Sequence, residues 1–346
     1  MPEAPKKDIN DNPNAIDVIS VGDTVVDDFI RLLDENGRIE DRGEGDKWLS
    51  IPYGTKMPFE SSKIIYGVGN AANAAVNFAK MGLNSALVTN LGADENGRRV
   101  IETLQKKKVD TFLVKMQRGK VTNYHYVIWY KEDRTILINH EHYDYHWPHL
   151  TRSEIPKWIY FSSIAENAVE MHDDIMEWLE RYPQVKLAFQ PGTYQIKFGA
   201  RRLKHVYKRS EVVILNREEA VQVTGGKYGD LNELLDKMHE LGPKVVLITD
   251  GPAGSYASDG KQRFFMPIYP DVAPPVERTG CGDAYASTFI GALIKGYTLE
   301  GALQLAPITP ASVVLYPGAQ EGLLSTRDLK EWLEKAPANY KAEPLK

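Results

Sequence analysis

The sequence predicts an α/β protein: a doubly wound, mostly parallel sheet carrying a small β-sheet lid. Three observations predict it. Short apolar runs at 16–22, 85–90, 111–115, 155–161, 186–190, 211–215 and 244–249 alternate with helical patterns, the arrangement that builds parallel sheets. Two blocks, 29–66 and 122–139, interrupt that alternation with strand-like patterning and polar turns. Near the C-terminus, Gly280 and Gly282 bracket a tight turn that runs into a helical pattern with apolar Ile290, Leu293 and Ile294.

Length and composition bound the rest. A chain of 346 residues with 42% hydrophobic and 26% charged residues allows one large α/β domain with an appendage, or two domains. Residues 1–14, with Pro2, Pro5 and Pro13, read as a mobile tail, leaving 15–346 for the folded domain with lid segments at about 29–66 and 118–147 inserted. A net charge of −5 without an arginine stripe argues against nucleic acid, and no apolar run is long enough to span a membrane. One cysteine and no signal-peptide core suggest a reducing, cytoplasmic setting.

Taken in order, the run at 16–22 is a buried strand ending in a glycine turn, with Asp23, Asp27 and Asp28 following. Carboxylates at the carboxyl edge of such a sheet can hold vicinal hydroxyls, although an ordinary loop acid explains any one of them equally well. In the first lid block Asn36-Gly37 is a hairpin signal, with Gly43 and Gly45 as a further turn. The second block places Tyr124, Tyr126, Ile128, Tyr130, Ile136 and Ile138 around a turn at Glu132-Asp133. A lid over the site would exclude water from a transfer reaction. Between the blocks, small residues from Gly69 through Asn73 open a helix that ends near Gly82, and 95–107 is a second helix. Gly67 and Gly69 alone could suggest a dinucleotide fingerprint, but G-x-G-x-x-G is not completed. Asn216 and Glu219 stand at a helix start, where capping accounts for both.

The turn at Gly280 and Gly282 carries the chemistry. Glycines before a helix let consecutive N–H groups point outward, and with the helix dipole they form an anion site. Asp283, in the first turn, could orient a hydroxyl and take its proton beside a bound phosphate. Simple helix capping by Asp283 explains the same letter.

The segment from Glu277 to Asp283 resembles the C-terminal signature of the ribokinase/PfkB carbohydrate-kinase family, D-T-x-G-A-G-D, matching at Gly280, Gly282 and Asp283. Glu277, Arg278 and Cys281 depart from it. The segment from Tyr66 to Asn73 is similar to the family's N-terminal G-G-x-x-x-N-x-A, with Val68 in place of the first glycine. Together the motifs run from about residue 16 to 320 in the family's order. The resemblance implies a ribokinase-like fold and ATP-dependent phosphorylation of a sugar or nucleoside hydroxyl. It implies Asp283 as catalytic base, with Gly280, Cys281 and Gly282 as the anion hole. It implies Asp27, Gly69 and Asn73 on the acceptor, and Asn216, Thr249, Gly251 and Gly254 on the nucleotide. Glu219 would act on magnesium indirectly, through water. The changes at Glu277 and Arg278 weigh against a monovalent-cation requirement. Gln190-Pro191-Gly192 replaces the usual Asp/Asn-Pro-Gly, and the usual adenine-side Asn is not evident between 306 and 315. The segment from Thr122 to His125 lacks the lid arginine that sugar-phosphate kinases use, so free sugars or nucleosides are the expected acceptors.

Other chemistry competes. His125, His140, His142, His146 and His149 are five of the eight histidines. A zinc site would need a further ligand motif, and lid packing accounts for them better. Tyr143, Tyr145 and Trp147 could cover a sugar ring or base, or form a subunit interface, which makes a homodimer through the lid an alternative. Cys281 at a helix N-terminus is a candidate nucleophile. The rival class is a non-catalytic sugar- or nucleotide-binding regulator on the same fold.

Overall fold

The computed structural model describes residues 15–43, 46–131 and 133–345. The tail expected at 1–14 and the turn residues Gly45 and Glu132 lie outside the described residues. The main sheet has ten strands. In spatial order they are Glu343–Pro344, Arg263–Met266, Ser255–Ser258, Val245–Thr249, Val212–Asn216, Lys186–Phe189, Trp158–Phe161, Val18–Val21, Ser85–Gly92 and Val114–Gln117. Every pairing from Val245–Thr249 across to Val114–Gln117 is parallel, and the three strands at the other edge are antiparallel. The interior strands are apolar on both faces because helices cover both faces.

Alternation within each strand builds two cores. Ile19, Val21, Ile159, Phe161, Leu187 and Phe189 face the helices Val169–Arg181 and Lys204–Arg209. Val18, Tyr160, Ala188, Val212 and Ile214 face the helices Asn70–Lys80 and Cys281–Ile294. The order of strands reverses at Val18–Val21, whose sequence neighbours lie to one side and later strands to the other. Ligands of doubly wound sheets bind outside the carboxyl ends at such a point.

The lid is a second sheet of four strands, in the order Phe59–Val68, Val25–Leu32, Tyr124–Tyr130 and Asp133–Asn139. A separate hairpin pairs Arg38–Asp41 with Lys47–Ser50. Asp27 therefore sits inside a lid strand, near its root, rather than in a loop after the first strand.

Two local expectations change. Asn36-Gly37 does not make a hairpin, because the strands before and after it are not paired with each other. The carbonyls of Asp34 and Gly37 instead accept from the hydroxyl of Tyr130, at 2.9 and 2.6 Å, and the chain reverses after Arg42. The strand expected at 111–115 begins at Val114, since Val114 N–H closes a turn onto the carbonyl of Thr111 (3.0 Å).

Candidate active site

The site is built where the helix Cys281–Ile294 meets the helix Asn70–Lys80. Gly280 caps the first of these with φ +80°, and a Cβ there would stand 2.3 Å from that of Ala319, so the turn requires glycine. The first-turn N–H groups of such a helix have no partner within it, which leaves donors for an anion. Asp283 lies in that first turn and is buried. Its two oxygens accept from Asn70 Nδ2 (2.9 Å) and Asn73 Nδ2 (2.8 Å). Burial pushes its carboxyl from the ordinary 3.8 up to about 6, against the pull of the two amides.

The contact continues down both helices. Asn77 Nδ2 donates to Ser287 Oγ (2.8 Å) and Thr288 Oγ1 (2.9 Å), and Thr288 donates to Thr309 (2.7 Å). Asn70, Asn73 and Asn77 recur at helical spacing and meet Asp283, Ser287 and Thr288 one turn at a time. Behind them Gln320 Nε2 donates to Asn73 Oδ1 and to the carbonyl of Gly67, both at 2.8 Å, while its Oε1 accepts from Lys107 Nζ (2.6 Å). Asn73 is thereby locked with its amide toward Asp283.

Beyond the first strand of the body, Gly69 (φ +107°) passes against the backbone of Asp23, where a Cβ would meet the Asp23 carbonyl oxygen at 2.8 Å. Asp23 accepts from the Tyr145 hydroxyl (2.7 Å), and burial pushes its carboxyl up to about 6. Asp27 faces His125 across paired strands, Oδ1 to Nδ1 at 3.3 Å. The His140–Glu141–His142 segment lies beyond the last lid strand, and among the described residues no cluster of three or more His, Cys, Asp or Glu is placed to hold a metal. Tyr143 is in the body's core, and the partly buried Trp147 packs on Trp178 (5.4 Å).

The residues expected on the nucleotide lie along the same sheet edge. Asn216 and Thr249 are partners in adjacent strands. Asn216 Oδ1 accepts from Glu219 N–H (2.7 Å) and Glu219 Oε2 from Asn216 N–H (2.8 Å), a reciprocal cap that realises the capping alternative. Burial raises the Glu219 carboxyl. Gly251 and Gly254 flank a short turn after Thr249, and Asp250 there holds Arg217 (2.6 Å). Gln190 pairs with the hydroxyl of Tyr160.

Two residues of the glycine turn differ from expectation. Burial pushes the Cys281 thiol up to about 11, outweighing the helix terminus that was expected to lower it, so Cys281 stays a thiol at neutral pH. Glu277 is buried and ties the turn together, accepting from Thr279 N–H (2.6 Å) and Gly318 N–H (2.8 Å). Arg134 of the lid reaches Glu277 at 3.8 Å, across a cleft of about 910 Å³ that Arg31, Lys131 and Arg278 also line.

Three of these residues escaped the sequence reading: Asn70, Gln320 and Arg134. Only Asn70 left a signal, the recurrence of asparagine at 70, 73 and 77.

A doubly wound sheet with a small mixed-sheet lid, and a buried carboxylate beside a glycine-capped helix, define a class of α/β proteins that bind at the sheet's carboxyl edge. The chain belongs to the pfkB family of carbohydrate kinases, whose model matches residues 56–327. It is 28% identical over 283 residues to the ATP-dependent 6-phosphofructokinase of Thermoanaerobacterium thermosaccharolyticum, covering 78% of this chain and 85% of that one. Among solved structures, the ribokinase of Arabidopsis thaliana complexed with ribose and ATP superposes with a TM-score of 0.74 at 18% identity, over 92% of this chain and 99% of the other. The nucleoside kinase of Methanocaldococcus jannaschii, an archaeal member of the ribokinase family, gives 0.73 at 19% identity, over 92% and 98%. The fold is that of the ribokinases. Among the described residues no helix is long and apolar enough to cross a membrane.

Proposed function

We propose that this kinase transfers the γ-phosphoryl group of ATP to a hydroxyl of a free sugar or nucleoside, with Asp283 as general base. The observation that carries this is Asp283 itself: a buried carboxylate, oriented by two neutral amides, with its pKa at about 6. A base is most useful when it titrates near the working pH. Asp283 takes the acceptor's proton as that oxygen bonds to the γ-phosphorus, and the β–γ bridging oxygen leaves with ADP. The turn formed by Gly280, Cys281 and Gly282 receives the phosphoryl oxygens on backbone N–H groups. Asp27, Gly69 and Asn73 hold the acceptor. Asn216, Thr249, Gly251 and Gly254 bound the nucleotide.

Magnesium fits as an ion that arrives on the nucleotide's phosphates. Among the described residues the site offers isolated oxygen donors and no protein cage. Bound there, it would neutralise charge on the transferring group. Glu219 would hold it through water, since one of its carboxylate oxygens is already used by the cap. Glu277 is occupied by the turn and by Arg134, in keeping with a reaction that needs no monovalent cation. Arg134 supplies a lid arginine, but its charge is matched by Glu277, so free acceptors remain the reading. Exposed Ile64, Tyr126, Leu137 and Ile138 on the lid are the surface that a homodimer would cover, which light scattering would test.

A coupled ADP-release assay over ribose, fructose, 2-keto-3-deoxygluconate, adenosine, inosine, cytidine and fructose 6-phosphate tests the proposal. Turnover of at least one unphosphorylated acceptor is expected. Turnover of fructose 6-phosphate alone would overturn the acceptor class, and ATP binding with no turnover of any would favour a regulator.

A further inference from the structure

The acceptor side contains a row of four titratable side chains, of which the proposed function uses only Asp27. Asp27 Oδ1 lies 3.3 Å from His125 Nδ1. His125 Nε2 lies 3.0 Å from His140 Nε2, with the two rings within 8° of parallel. His140 Nδ1 lies 3.7 Å from Asp23 Oδ2, and Asp23 takes the Tyr145 hydroxyl on its other oxygen. The row joins the lid strands Val25–Leu32 and Tyr124–Tyr130, through the segment that follows Asn139, to the end of the first body strand.

Proton counting constrains this row. Each Nδ1 faces a carboxylate, at 3.3 and 3.7 Å, across a gap with no formed hydrogen bond, and the facing negative charge favours a hydrogen on that nitrogen. The two Nε2 atoms, at 3.0 Å, can hold only one hydrogen between them. Three protons on four ring nitrogens leave the pair with one positive charge, set between two carboxylates. A fourth proton would point two N–H groups at each other and force the rings apart. The other charged groups nearby do not relieve this. Glu141 turns away to Lys120 (3.4 Å) and to the Val121 N–H (3.4 Å), and Asp28, on the opposite face of its strand, accepts from Tyr124 (3.0 Å). Burial, and then the charge on His125, hold the His140 ring below the ordinary imidazole range, as expected of a ring that resists the fourth proton. Asp23 Oδ2, Asp27 Oδ1, His140 Nδ1 and Asn123 Nδ2 are buried without a formed hydrogen bond, polar capacity that a polyhydroxylated acceptor would fill.

We propose that His125 and His140 are positioning residues for the acceptor: while they share one proton across Nε2···Nε2, they hold Asp27 and Asp23 in place and keep the lid root docked on the body. This rests on the assignment of Asp27 to the acceptor. Acidification then weakens acceptor binding without touching the nucleotide.

The test has two arms on the full chain. In the first, KM values for ribose and adenosine and for ATP are measured from pH 8 to 5. Acceptor KM should rise on acidification, by about ten-fold per pH unit for the fourth proton and further as Asp23 protonates at about 6, while KM for ATP stays flat. His140→Gln, which keeps a donor but cannot titrate, should raise acceptor KM a few-fold at pH 7.5 and reduce the acid rise to the part set by Asp23. His140→Phe should raise it throughout. In the second arm, histidine ring ¹⁵N spectra follow the two imidazoles directly, with and without each acceptor. One coupled pair with a single shared Nε2 proton is expected. An unchanged acid rise in His140→Gln, or two rings titrating independently, would overturn the proposal. Should no acceptor be turned over, the kinase assignment fails in the first arm while the ring spectra still decide the pair.

Discussion

Asp283→Asn separates the catalytic reading from the capping one. Raising a buried carboxyl from the ordinary 3.8 to about 6 costs about 3 kcal/mol of stability when it is ionised. The folded pKa lies above the unfolded one, so this stability is present below about pH 3.8 and is lost as the pH rises through about 6. Asparagine never ionises and so escapes the loss. It also brings an amide group against one of two amide donors. Asn73 cannot turn to accept, because its oxygen already takes Gln320, so the mismatch falls on Asn70 at a cost of about 1 kcal/mol. The variant should therefore be more stable than the parent by about 2 kcal/mol at pH 7.5, and the two effects should nearly cancel at pH 4.5. Turnover should fall about a hundred-fold or more, with nucleotide affinity unchanged or tighter. Urea unfolding at both pH values and the ADP-release assay read the two effects. Normal turnover, or an equal loss of stability at both pH values, would refute the reasoning.

The surroundings of the site give further expectations. Asn70→Leu removes a donor that lowers the Asp283 pKa, so the acid limb of kcat should move above pH 6; a limb that stays in place would show that Asn70 does not set the base. Gln320→Leu strands the Asn73 and Gly67 oxygens and Lys107, and should cost about 2 kcal/mol in urea unfolding together with a higher acceptor KM. Cys281→Ala should keep its turnover, and iodoacetamide should react slowly at pH 8 because burial holds the thiol at about 11; an inactive but folded variant would restore Cys281 as a nucleophile. Hydrogen exchange in 29–58 and 118–147 should be faster than in Val18–Val21 and should slow with ATP and acceptor together; equal and ligand-independent protection would end the lid reading.

What the sequence made legible follows from the range of the physics. Parallel strands buried on both faces are apolar runs, so Val245–Thr249 and Ser85–Gly92 stand out with ends only one or two residues off. The glycine turn and Asp283 were legible because turn, dipole and carboxylate are neighbours in the chain. The Asn36-Gly37 signal failed because the satisfaction of its carbonyls comes from Tyr130, far along the chain. Cys281 shows the same limit. The local argument from the helix terminus gives the sign that an exposed thiol would have, and burial by distant residues reverses it. The His125–His140 pair was visible only as a cluster of letters; the antiparallel pairing of Tyr124–Tyr130 with Asp133–Asn139 brings the two rings together, and the parallel pairing that sets Asp27 beside His125 is announced by no local pattern.

The charge at Asp283 shows why the partners had to come from afar. A helix N-terminus alone would hold a carboxylate ionised and weakly basic. A lysine or arginine in contact would do so more strongly, lowering its pKa by about 1–3 units. Here the contacts are two neutral amides, which orient both oxygens while leaving burial to set the proton affinity. The amides must themselves be held, or the carboxylate would rotate with them, and Gln320 does this for Asn73 from a different segment. A site that must be both oriented and proton-hungry is thus assembled from neutral donors with partners behind them. The stability lost by burying the charge at neutral pH is the physical counterpart of its strength as a base.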